Sequence, residues 1–71
     1  MKEYKHPDFV VYCIEIYKTA KGISGKEAYK ILFESNALDF IDSCYEVLHI
    51  EGNSAIVTQI DEYLANQSVS V

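Results

Sequence analysis

Arginine and tryptophan are absent from this 71-residue chain, and no basic side chain follows Lys30. The six lysines, Lys2, Lys5, Lys18, Lys21, Lys26 and Lys30, stand against five acids in residues 1–35, a net charge of +1. Residues 36–71 hold six acids and no base, a net charge of −6. Affinity for a nucleic-acid backbone comes from cations that displace counterions from phosphate, so this balance argues against DNA or RNA as partner. Two cysteines, Cys13 and Cys44, are too few and too widely spaced for a disulfide framework or a zinc motif. Each falls on an apolar helix face and reads as a small buried hydrophobe, with a bridge between two helices left open as an alternative. No apolar run approaches the roughly 20 residues that span a membrane. Met1–Pro7 is polar and charged, unlike a secretory signal, so the expected location is the cytoplasm.

What is present is an ordinary globular composition, 49% apolar and 24% charged, which rules against disorder of the whole chain. The length allows one domain, and a chain this short buries only about 60% of its unfolded surface, so its stability margin is thin. The apolar residues recur at helical spacing. Met1–His6 is a polar leader, and Pro7 fits a first helical position with Asp8 beside the positive helix end. The first predicted helix covers Pro7–Lys21 and stops at Gly22; it is apolar nearly all round, so more than one neighbour should cover it.

Ser24-Gly25-Lys26-Glu27 is a capping box opening a second helix that runs to about Ser35 and buries Ala28, Tyr29 and Leu32. A phosphate-loop reading of the same Gly-Lys fails, because the upstream glycine is missing and Glu27 stands where Ser or Thr belongs. Asn36 closes the helix in a left-handed conformation. The third predicted helix covers Ala37–His49, with Leu38, Ile41, Cys44, Tyr45 and Leu48 on one side and Asp39, Asp42, Ser43 and Glu46 on the other. The fourth covers Ser54–Asn66, capped by Asn53 or Ser54, and Gln67–Val71 is a flexible tail. The expected fold is therefore all-α, a compact bundle of four short helices over residues 7–66. The alternative is three helices plus a β-hairpin, because Tyr45–Ile50 and Ala55–Ile60 flank a Gly-Asn turn.

Chemistry is sparse. His6 lies in the leader and reads as solvent-exposed, and His49 sits where a helix end favours a partly positive imidazole. Ser43 and Cys44 lie five or six residues from His49 and share no close helical face with it, so no catalytic residue is expected. The acids sit on an open helix face, not in a loop that wraps a cation, so neither a metal nor a cofactor is expected. A helix-turn-helix reading of the second and third helices would need basic residues where Ala37–His49 carries acids. The expected role is a non-enzymatic protein-interaction module with a protein partner. Asp39, Asp42 and Glu46 would steer a basic protein, and Val11, Tyr12 and Ile14 would make an apolar contact patch. Two alternatives stay open: a homodimer pairing through the first helix, and a small ligand-binding protein or enzyme using Glu46 and His49.

The strings Phe9–Lys18, Lys21–Tyr29 (with Ser24-Gly25-Lys26-Glu27-Ala28-Tyr29), Tyr45-Glu46-Val47-Leu48-His49 and Ile60–Leu64 resemble a family of short bacterial proteins catalogued as a domain of unknown function. The resemblance covers about residues 8–64. It implies no activity and no catalytic position. It does imply a genomic neighbourhood of ADP-ribosyltransferase-like proteins, and hence an antitoxin-like role.

Overall fold

Helix signals spaced by single turn residues dictate how this chain folds back on itself. The computed structural model describes residues 3–69. Five helices follow in order: α1 Pro7–Lys21, α2 Gly25–Glu34, α3 Ala37–Ser43, α4 Tyr45–Leu48 and α5 Asn53–Val69. No strand forms among the described residues, so the hairpin alternative is excluded; both of its arms are helical. The helical period running on through Asp61-Glu62-Tyr63-Leu64 decides the second arm.

Local chemistry sets the first two connections. Pro7 opens α1, and Gly22 closes it at φ 65°, where its N–H reaches back to the Thr19 carbonyl. A side chain at Gly22 would have to adopt the same left-handed backbone, which only glycine does without strain. Ser24 caps α2 by accepting the Glu27 N–H at 3.0 Å, while Glu27 returns to the Ser24 N–H. Asn36 takes the left-handed conformation at φ 65° and turns the chain directly into α3.

The third predicted helix is two helices. The Cys44 N–H closes α3 on the Phe40 carbonyl, and the Cys44 carbonyl then accepts from Val47 and Leu48 to start α4. The chain thus restarts its ladder at one residue, whose φ of −100° and ψ of 19° leave the helical well. The last helix begins at Asn53, one residue earlier than expected, and continues to Val69 instead of Asn66. Gly52, not Asn53 or Ser54, precedes its first residue, and the Gly52 carbonyl accepts from Ile56. Residues 1, 2, 70 and 71 of the expected leader and tail lie outside the described residues.

One buried cluster joins all five helices: Val10, Cys13 and Tyr17 of α1, Ala28 and Leu32 of α2, Ala37, Leu38 and Ile41 of α3, Leu48 of α4, and Ile56 and Ile60 of α5. Helix α1 packs against α2, α3 and α5, as its broad apolar surface requires. Tyr29 departs from expectation, remaining 48% exposed. The core-facing stripe of the ten-residue α2 is only as wide as Ala28 and Leu32, and Tyr29 lies about 100° round the helix from Ala28. A cross-link on the surface ties α1 to α5, with Lys21 Nζ 2.7 Å from Asp61 Oδ2 and 5.5 Å from the Tyr17 ring centre.

Candidate interaction surface

The three acids singled out in the sequence do not form one stripe, because the helix that would align them breaks at Cys44. Asp39 and Asp42 belong to α3 and Glu46 to α4. Asp42 is committed to the fold. Its Oδ2 accepts the Lys5 N–H at 2.9 Å and its Oδ1 accepts the His6 N–H at 2.7 Å. Partial burial acts to raise the Asp42 pKa, but the two amides outweigh it and hold the carboxyl below its ordinary value. The leader is therefore strapped to α3 immediately before it enters α1. Asp39 is half-buried, and only Glu46 of the three is exposed.

The apolar patch divides as well. Tyr12 and Ile14 are two residues apart, about 160° around the helix, and so face opposite ways. Tyr12 donates its hydroxyl to Asn53 Oδ1, linking α1 to the start of α5. It lines a groove of about 570 Å³ with Ile16, Ala20 and Val57. Ile14 packs against the core, while Val11 stays exposed at 58%.

His6 is half-buried, contrary to its expected exposure, and stacks on Tyr45 with ring centres 3.9 Å apart and planes within 10°. His49 covers the other face of Tyr45 at 4.4 Å and 7°, and Phe9 meets Tyr45 edge-on at 5.2 Å. His49 Nδ1 lies 2.8 Å from the Tyr45 carbonyl, an acceptor, so Nδ1 carries the proton. The two imidazoles and the Tyr45 ring border an open groove of about 600 Å³ that also meets Asp8 and Glu51. Glu46 lines an adjoining groove with Cys44 and Val47, and the two grooves share Lys5, His6 and Tyr45. Among the described residues no three His, Cys, Asp or Glu side chains converge on a metal position. Both cysteines are free; burial pushes the Cys13 thiol up to about 12, out of reach of thiolate chemistry.

Two surfaces escape the sequence reading. The first is the corner between α4 and α5, where Glu46, Val47, Ile50 and Glu51 fall within six positions. Ile50 is 76% exposed and Val47 58%, and no helix packs over either. The second is the outer side of α2. Tyr29 and Phe33 stack on each other there at 5.5 Å and 16°, both about half exposed. Lys26 and Lys30 precede these rings by three residues and so lie beside them, with no ion-pair partner among the described residues. An aromatic pair at i and i+4 was legible in the sequence; its exposure was not, since the same spacing serves a core stripe equally well.

Among the described residues, no helix is long and apolar enough to cross a membrane. The model of one protein family, described as a protein of unknown function (DUF3791), matches residues 8–67. No curated protein and no solved structure matches the chain.

Proposed function

The chain belongs to the DUF3791 family, which carries no assigned activity, and from its surface we propose that it is a non-enzymatic protein-interaction module for a partner bearing excess positive charge. The observation that carries this reading is Ile50, the most exposed large apolar side chain of the described residues, with exposed Glu46 and Val47 and half-buried Glu51 as its near neighbours in the chain. Apolar side chains ringed by like charges make a contact whose centre excludes water and whose rim attracts a complementary surface. The back half adds to the effect, since it holds six acids and no lysine, a balance that favours cationic surfaces over phosphate at close range. In this reading the chain works by covering its partner, as an antitoxin-like protein of the cytoplasm would, and needs no catalytic group.

The test is capture from the native host with this chain as bait, identified by mass spectrometry, alongside a Glu46→Gln, Ile50→Ser variant. The expected result is a basic protein retained by the natural chain, released as salt screens the charges, and lost with the variant. Retention that the variant does not diminish, or capture of no basic protein, would refute the reading.

A further inference from the structure

The two uncovered surfaces are chemically complementary to each other. The outer side of α2 offers two aromatic rings flanked by Lys26 and Lys30, and the α4–α5 corner offers two aliphatic side chains flanked by Glu46 and Glu51. Within one molecule they belong to separate elements. We infer that the α2 face of one copy docks on the α4–α5 corner of a second copy, Tyr29 and Phe33 against Val47 and Ile50, Lys26 and Lys30 against Glu46 and Glu51.

Charge decides for a second copy. The lysines on α2 are among the few cations of a chain with net charge −5, and the chain's own back half supplies six acids as a complementary surface. Repulsion between two whole molecules falls away beyond about 8 Å at physiological ionic strength, whereas pairs in contact are screened far less. The local match therefore outweighs the net charge at that salt. Helix α1, the surface expected to pair in a homodimer, is already covered on three sides by α2, α3 and α5.

A contact between two different patches is heterologous. Each copy keeps one free patch of each kind, so association continues past the dimer unless the rotation closes a ring. That property supplies the test. Sedimentation velocity at 0.15 M salt is measured for the natural chain, for Phe33→Asp, for Ile50→Lys, and for an equimolar mixture of the two variants. Both positions are exposed, so both variants fold; Lys26→Glu with Lys30→Glu repeats the first by charge alone.

The natural chain should grow heavier than a dimer as concentration rises. Each variant alone should associate at least about tenfold more weakly, one having lost the α2 face and the other the corner. Their mixture should form a 1:1 complex and stop there, because the remaining patch on each is disabled. A natural chain that stays monomeric up to millimolar concentration overturns the inference. So do variants that associate as the natural chain does, or a mixture that fails to pair. The inference rests on the proposed partner surface for one of its two faces only. Phe33→Asp leaves capture of a basic partner intact, so the two readings fail separately.

Discussion

Asp42 and Glu46 look alike in the sequence, two acids four residues apart, and the structure gives them opposite duties. Replacing Asp42 with Ala removes the acceptor for both the Lys5 and the His6 N–H. Those amides cannot turn to each other. His6 is the residue preceding the first turn of α1 and receives no side-chain cap of its own, so Asp42 is the group that fixes how the chain enters that helix. Losing a side-chain acceptor at a helix entrance costs about 0.5–2 kcal/mol, and two charge-assisted bonds place this case near the top of that range. In a domain of 60–100 residues each 1 kcal/mol moves the thermal midpoint by about 4–8 °C. A fall of roughly 10 °C is expected for Asp42→Ala, followed by circular dichroism at 222 nm, and no measurable change for Glu46→Gln.

The same pair answers to pH. The folded Asp42 carboxyl is held below its unfolded value, so its stabilisation is present above about pH 4 and is lost as pH falls through the folded value. Between neutral pH and about pH 5 the natural chain should therefore stay ahead of Asp42→Ala by a constant margin, and the two should converge as pH falls through the lowered folded value. Equal midpoints for the two proteins at neutral pH, or a gap that persists into acid, would show that the strap does not hold the leader.

Other consequences follow from single residues. Leu32 is fully buried at the centre of the core, so Leu32→Ala should cost about 2–5 kcal/mol and leave little residual helical signal at 37 °C. Ser24→Ala removes the hydroxyl that accepts the Glu27 N–H, leaves the Glu27 carboxylate on the residue-24 N–H, and should lower stability by about 1 kcal/mol in urea titration, with an unchanged slope. Cys44 is half-buried and Cys13 fully buried with its thiol raised to about 12, so a thiol reagent at pH 8 should label one cysteine rapidly and the second only in denaturant.

The elements legible in the sequence are those written by neighbours. Gly22, Asn36 and the Ser24–Glu27 box each act within four residues, and each stands where local chemistry puts it. The break at Cys44 left no such mark, because no glycine or proline occupies it and the apolar row Ile41, Cys44, Tyr45, Leu48 runs through it unbroken. The candidate site was less legible for a related reason. The role of Asp42 depends on amides 36 and 37 positions away, and His6 reaches Tyr45 only because that strap brings it there. His49, four residues after Tyr45, needed no such help, and its place at a helix end was readable. Exposure of Tyr29 and Ile50 depends on which helices fail to cover them, a property of the assembled fold and not of any window of the chain.

Association between copies must also register as stability, because only the folded chain presents both patches. A binding partner of the native state adds RT ln(1 + [L]/Kd) to its unfolding free energy, about 1.4 kcal/mol when the free concentration is ten times Kd. Urea titration at a fixed 25 °C measures this without altering Kd by heating. For a domain this small the denaturant slope is about 1 kcal/mol per molar, so the midpoint should climb by about 1.4 M over that concentration range. Phe33 is 51% exposed in the single molecule, so Phe33→Asp should unfold like the natural chain when both are dilute and lose the climb when both are concentrated. A natural chain whose midpoint ignores concentration has no such contact. A variant that still climbs makes the contact through some other face than α2.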